Sequence, residues 1–258
     1  MKLIAFIGIL LFAALSPLLE AQAPAQAASP MPVLVELFTS EGCSDCPPAD
    51  DLLAHMDRGQ PVEGVQLIVL SEHVDYWNRL GWTDPFSSAF YSQRQNGYSQ
   101  RFGLNSVYTP QMVVDGGAEF VGSDERRAQQ VIREAAKREK VAVRISRVRT
   151  EGDALYFHVD ADAIESKPAA DLFAILADNQ DSSNVKRGEN GGRNLTHVAV
   201  ARVFGRPQSL KRGSAYASEL KFDLHGWDTK TLRLVVFIQE RGQGRVLGAT
   251  MKNLADGI

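Results

Sequence analysis

Cysteine is scarce in this chain. Two occur in 258 residues, Cys43 and Cys46, with only Ser44 and Asp45 between them. A disulfide framework that staples a small secreted fold needs more cysteines, set farther apart, so that class is excluded. A bridge between these two closes too short a loop to restrain the unfolded chain much. A zinc site built on the pair would need two further ligands. Charge excess is missing too: 28 basic against 31 acidic residues leave a net charge of −3. That balance argues against nucleic acid or an anionic membrane as the main partner. Beyond Leu19 no run is apolar enough to span a membrane. Internal repeats and low-complexity linkers are also absent.

What is present begins with a leader pattern. Lys2 gives a short positive region, and residues 3–19 are apolar, broken only by Gly8, Ser16 and Pro17. Two A-x-A frames follow, Ala21-Gln22-Ala23 and Ala25-Gln26-Ala27. This order predicts a secretory signal peptide over residues 1–27; Pro17 and the small residues favour cleavage over an anchor helix. The protein is then expected to be exported, periplasmic or secreted, with no membrane span after cleavage. The mature chain keeps about 230 residues, room for two domains of roughly a hundred residues each. A 44% hydrophobic content suits ordinary folded cores. An oxidising compartment gives Cys43 and Cys46 a redox role rather than a scaffolding one.

Residues 33–38 (VLVELF) form an apolar run that predicts a buried strand, and residues 39–42 a polar turn. After the cysteines, Pro47 and Pro48 suit a first helical turn, and Leu52, Leu53 and Met56 follow at helical spacing. Residues 66–70 (QLIVL) predict the next strand. Asp84-Pro85 reads as a helix start, with Phe86, Phe90, Arg94, Tyr98 and Phe102 on one stripe and Gly103 as the stop. Pro110 opens a strand that ends in a tight Asp115-Gly116 turn, and residues 118–121 pair back. Ser123 is the expected cap of a helix through about Lys140, with Val131, Ile132 and Ala135 on its apolar face. The texture then changes. Residues 141–148, 155–159, 172–177, 196–204 and 232–239 read as strands, and no helix pattern of any length intervenes. This half is expected to be an all-β sandwich, with the boundary near residue 140.

A C-x-x-C pair between strand and helix, with an X-Pro, strand, hairpin and helix further on, resembles the thioredoxin fold. The expected fold is therefore an α/β thioredoxin-like N-terminal domain, residues 31–140, followed by an all-β, sandwich-like C-terminal domain, residues 141–258. The resemblance implies a cis Thr109-Pro110 bond, with Pro110 packed against the cysteines and Thr109 presenting backbone to a substrate strand. A helix N-terminus carries about half a positive charge and favours a thiolate. Cys43, at the exposed helix end, is expected to attack, and Cys46, one turn in, to resolve the mixed disulfide. Two departures from that fold's common pattern stand out. Asp45 places a negative charge beside the thiolate, and Gly42 stands where a tryptophan often precedes the first cysteine. Glu36, on the first strand, is a candidate proton acceptor if the following turn holds one extra residue; otherwise it is a strand-end glutamate facing water.

Longer motifs narrow the likeness. VELFTSEGCSDCPPAD, HVDYW followed by LGWTDPF, VYTPQMVVDG and RGENGGRNLTHV together resemble a secreted thioredoxin-like family of unknown function, DUF1223. The resemblance spans nearly all of the mature chain and implies a fold and export, with no substrate attached.

Two further groups are candidates. His73, Trp77 and Trp82 lie in an aromatic loop with Asp75 and Tyr76, and are expected to border the cysteines and touch substrate; the alternative is a plug that packs the loop. Arg187, Glu189, Asn190 and Arg193 lie in a glycine-rich loop of the β half, a possible second site that grips a partner carboxylate, or else a structured turn. His197 reads as a satisfied strand histidine. No cofactor and no metal site is expected. Three functions fit. The first is a thiol–disulfide oxidoreductase acting on exported protein thiols or disulfides, reset by a redox partner protein. The second is a periplasmic copper carrier using both thiolates with a histidine such as His73. The third is a non-catalytic interaction module whose bridge locks a loop.

Overall fold

The structure, a computed structural model, describes residues 29–165 and 168–257. The expected signal peptide, residues 1–27, lies outside the described residues.

The first half runs β1 (Met31–Thr39), α1 (Pro47–Gly59), β2 (Val65–His73), α2 (Ala89–Phe102), β3 (Gln111–Val114), β4 (Ala118–Val121) and α3 (Glu125–Ala135). The second runs β5 (Val143–Glu151), β6 (Ala154–Ala161), β7 (Ala170–Asn184), β8 (Asn194–Phe204), β9 (Gln208–Ser209), β10 (Tyr216–Asp223), β11 (Leu232–Glu240) and β12 (Val246–Asn253). Three strands, the two-residue β9 together with β10 and β12, lie outside the expected strands.

Local chemistry explains the helix ends. Cys46 is the N-cap of α1, and the two prolines behind it occupy positions whose N–H groups would have no helical partner. Ser88 starts α2, its hydroxyl accepting from the Phe90 N–H, so this helix begins later than the expected Asp84-Pro85 start. Asp84 is drawn instead into the buried polar cluster described below. Gly103 ends α2 with φ 67°, the left-handed backbone that glycine tolerates best. Asp124, rather than Ser123, caps α3 by accepting from the Arg127 N–H, and this helix stops at Ala135, short of Lys140.

The sheet overturns the expected fold class. One large sheet runs β12-β11-β7-β8-β2-β1-β3-β4, with β9 on β7. It crosses the expected boundary near residue 140, so the protein is not an α/β thioredoxin-like unit followed by a separate all-β sandwich. The join is between β2 and β8, parallel, with Ser71 opposite Val200. The physical reason lies on both sides of that join. The seven residues of β2 after Gln66 are all buried, which leaves a buried strand edge that must be paired. Residues 197–201 of β8 are buried as well, so β8 needs cover on both faces. α1 supplies it: Ala49, Leu52, Leu53 and Met56 pack in one cluster with Val33, Val35 and Leu37 of β1 and with Val198 and Ala199 of β8. On the other face Leu34, Ile68 and Leu70 share a cluster with Ile175, Val235 and Phe237.

A three-stranded sheet, β10-β6-β5, covers the far end. Leu155, Phe157 and Val159 of β6 pack there on Leu172, Leu176, Leu234 and Val236 of the large sheet. Sheet-on-sheet packing is therefore present, but one of its two layers belongs equally to the first half of the chain.

Candidate functional site

The cysteines sit in the turn that carries β1 into α1. The Cys43 N–H donates to the Ser40 carbonyl at 3.1 Å, and the Cys46 N–H to the Cys43 carbonyl at 3.3 Å. This tight turn brings the two Cα atoms to 5.4 Å, and the side chains form a disulfide. Ser44 and Asp45 between them are exposed. The cysteines are not: Cys43 is 1% and Cys46 0% exposed. The expectation that Cys43 stands free at an exposed helix end is thus corrected, and the reason is what lies over it.

Two loops cover the pair. From the first half comes Trp77. A Cβ on Gly42 would lie 3.1 Å from the Trp77 Cβ, so the position before Cys43 has little room for a side chain. The Trp77 indole N–H donates to the Thr109 hydroxyl at 2.8 Å. The Thr109-Pro110 bond is cis. Pro110 is buried, and its carbonyl accepts from the Gly122 N–H at 2.9 Å. A Cβ on Gly122 would meet Pro110 and Ala49 at 3.1 Å each, which puts Pro110 beside the first turn of α1.

From the second half comes the tip of the β7–β8 hairpin, residues 185–193. The Asn190 amide donates to the Glu41 and Cys43 carbonyls, both at 2.9 Å. Arg193 donates to the Asn190 side-chain oxygen at 2.9 Å. The Glu189 carboxylate accepts from the Ser44 N–H at 3.0 Å and the Ser44 hydroxyl at 2.7 Å. Arg187 lies exposed on the same tip. The second group of candidates thus belongs to the cysteine site rather than to a separate one.

Behind the turn lies a buried polar cluster centred on Glu41. Its carboxylate accepts from the Trp82 indole N–H at 2.8 Å and from the Ser183 hydroxyl. His197 Nε2 lies 3.3 Å from the same carboxylate, and His197 Nδ1 lies 3.7 Å from Asp50 on α1. The Glu41 N–H donates to Asp84 at 2.8 Å, and Asp84 also holds His73 Nδ1 at 2.7 Å. The His73 and His197 rings meet edge to face, 4.5 Å between centroids. Burial pushes the His197 pKa down, but attraction to Asp50 and Glu41 outweighs it and raises the value to about 10, so the ring is an imidazolium at neutral pH. Burial pushes Glu41 up, yet its hydrogen bonds from His197, Ser183 and Trp82 hold the carboxyl below the usual range. In Asp84 burial is likewise outweighed, by His73, and the carboxyl is lowered.

Cys46 and Asp50 are four residues apart at the start of α1, so they share one helix face. Asp50 Oδ1 and His197 Nδ1 are buried and have no hydrogen-bond partner. A cavity of about 230 Å³ opens here, lined by Pro47, Asp50, Asp51, Arg193, Thr196 and His197 among others.

Two candidates are placed elsewhere than expected. Strand alternation puts Leu34, Glu36 and Phe38 on the face of β1 opposite α1. Glu36 there accepts from Arg94 Nε at 2.6 Å and from the Tyr98 hydroxyl at 2.5 Å, and Gln239 completes the group through Tyr98 at 2.8 Å. It faces away from the helix of the cysteines. His73 is fully buried and offers no surface to a substrate, whereas Trp77 and Trp82 remain partly exposed. Glu41, Asp50, Asp84 and Ser183 are not among the site residues expected from the sequence, where Asp84 reads as a helix start; only the polar turn before Cys43 points to Glu41. Among the described residues no group of three or more His, Cys, Asp or Glu side chains is placed to hold a metal ion.

Comparison with solved structures returns a crystal structure of an Agrobacterium tumefaciens protein at 27% identity and a TM-score of 0.64, spanning 85% of this chain and 92% of that one. HBP35 of Porphyromonas gingivalis matches at 15% identity and a TM-score of 0.63, over 88% of this chain and 76% of its own, a likeness of fold alone. Comparison with curated proteins gives no match. The family model described as "Protein of unknown function (DUF1223)" matches residues 34–239, which takes in the cysteine turn, both covering loops and the Glu41 cluster; the chain belongs to the DUF1223 family.

Proposed function

We propose that the protein is an exported thiol–disulfide oxidoreductase that works through Cys43 and Cys46 on thiols or disulfides of exported proteins, with a separate redox protein resetting it. The observation that carries this reading is the C-x-x-C disulfide at a helix start, backed by a buried acid and imidazolium on the same side of α1. A partner thiolate attacks the Cys43 sulfur. The Cys43–Cys46 bond breaks, a mixed disulfide forms, and the electron pair stays on Cys46 as a thiolate. His197, held by Glu41 and Asp50, reaches the face of α1 that Asp50 shares with Cys46. A second partner thiolate then attacks the partner sulfur of the mixed disulfide, leaving an oxidised partner and a reduced cysteine pair. Each step runs equally in reverse.

The test is equilibration of the full chain in graded glutathione and glutathione disulfide, followed by alkylation and mass measurement. The pair is expected to titrate between disulfide and dithiol, and Cys46→Ser to accumulate a mixed disulfide on Cys43. A second reading is favoured by the burial of both cysteines: the bridge only locks the turn and the protein is a non-catalytic binding module. A disulfide that stays oxidised at every glutathione ratio, in folded protein, selects that reading instead.

A further inference from the structure

The hairpin tip does more than shield the cysteines. Its side chains reach the main-chain groups that bracket the attacked sulfur: two carbonyls, at Glu41 and Cys43, and one N–H, at Ser44. Asn190 supplies N–H donors to the carbonyls, and Glu189 supplies carboxylate oxygens to the N–H and hydroxyl of Ser44. These are the hydrogen bonds that the backbone of an extended segment makes when it lies along a receptor chain. An incoming segment that brings its sulfur to Cys43 meets the same groups and finds them occupied.

We infer that the tip of the β7–β8 hairpin, residues 185–193, is a built-in stand-in for the partner, which a partner displaces by presenting a carboxylate next to its reactive cysteine. The inference rests on the thiol–disulfide reading above. The tip is closed on itself. Val185 and Arg193 pair at its base, where the Val185 N–H donates to the Arg193 carbonyl at 3.0 Å and the Gly192 N–H returns to the Val185 carbonyl at 2.8 Å. Gly188 and Gly192 hold φ of 78° and 86°, backbone that glycine permits and that closes the turn on itself. Its attachment to the cysteine turn is light by comparison. The Glu189 contact to Ser44 is exposed to water, and contacts of that kind contribute little and exchange readily. The Asn190 contacts are buried and keep the tip seated until something replaces them. An acidic side chain on the partner can take the place of Glu189 on Ser44, and the partner's own N–H groups that of Asn190.

The experiment measures reduction of the oxidised full chain by dithiothreitol, and then by two cysteine peptides that differ only in a glutamate or an alanine beside the cysteine. Glu189→Ala leaves the core untouched and guards against misfolding; Asn190→Ala removes the buried contacts. Asn190→Ala is expected to speed reduction by about tenfold, the rate equivalent of roughly one lost hydrogen bond, and Glu189→Ala by less. The glutamate peptide is expected to reduce the unaltered protein faster than the alanine peptide. Unchanged rates in both variants overturn the cover, and equal peptide rates overturn the acidic partner. An unaltered protein that resists dithiothreitol while the variants yield still supports the cover. Resistance in all three, together with a disulfide fixed in every glutathione buffer, removes the oxidoreductase reading itself.

Discussion

Asn190 and Cys43 are 147 positions apart in the chain, and the Asn190 amide nitrogen lies 2.9 Å from the Cys43 carbonyl oxygen. The same nitrogen reaches the Glu41 carbonyl, and the residue is 1% exposed. Removing the amide leaves the buried Glu41 carbonyl without this donor and the Cys43 carbonyl with the Cys46 N–H alone. Asn190→Ala should therefore destabilise the oxidised protein by about 1–3 kcal/mol, read as a lowered urea midpoint with an unchanged slope. A midpoint within error of the unaltered protein would mean that water replaces the amide at no cost.

His197 sets the expected pH dependence. Its pKa is raised from 6.5 to about 10, so the folded state holds that proton more tightly than the unfolded chain does. The contribution is complete below pH 6.5 and is lost as pH climbs through about 10. Stability should fall across that window by at most about 1.4 kcal/mol per pH unit. The groups facing the ring are Glu41 before the cysteines, Asp50 on α1, and His73 with Asp84 from β2 and its loop. His197→Gln should flatten the slope. A slope that survives the substitution would assign it to another group.

Asp50 should matter when Cys46 has to give up a proton. Reduced protein treated with dithiobis(nitrobenzoic acid) releases one chromophore as Cys43 reacts and a second as Cys46 resolves the mixed disulfide. A carboxylate on the same helix face can accept the Cys46 proton, and general bases contribute at least about 100-fold. Asp50→Asn should slow the second release by a factor of that order and steepen its rise with pH, and Asp50→Glu should recover part of the loss. Identical second phases would leave Asp50 with a packing role only.

Residues 29–140 alone should not fold. α1 would lose Val198 and Ala199, β2 would keep an unpaired edge, and Asp57 would lose the two-pronged hydrogen bonds from Arg233 at 2.7 and 2.9 Å. The full chain should unfold in one cooperative transition, with circular dichroism and tryptophan fluorescence coinciding. A fragment with a sharp melting transition of its own would contradict this.

Where residues speak to near neighbours, the sequence was readable. The apolar run of β1, the prolines after Cys46, the Gly103 stop and the Asp115-Gly116 turn all act within a few positions, and each is found where its chemistry places it. The pairing of β2 with β8 was not readable. Each strand has a short buried apolar middle, residues 67–70 and 198–201, which carries no mark of its partner. The Glu41 cluster was hidden for a related reason. Glu41, Asp50 and His197 have ordinary local explanations, as a turn acid, a first-turn helix acid and a strand histidine, and only the β7–β8 hairpin brings them together. Glu36 was misplaced because the length of the turn between β1 and Cys43 decides nothing about which face of the strand a side chain takes; alternation from Val35 and Leu37 decides it.

The β2–β8 join also fixes an order of events in time. Ser71 leaves the ribosome long before Val200, so the growing chain carries β2 with one apolar edge open until β7 and the hairpin tip have been made. An open apolar edge is a template for pairing with other chains. Contacts between segments this distant form late in folding. The Cys43–Cys46 bridge spans two intervening residues and can close at any moment, whereas its cover arrives only with residues 185–193. Every newly made molecule thus passes through an interval in which its cysteines lack their hairpin, and in that interval they are as open to small thiols as any two in an unfolded chain.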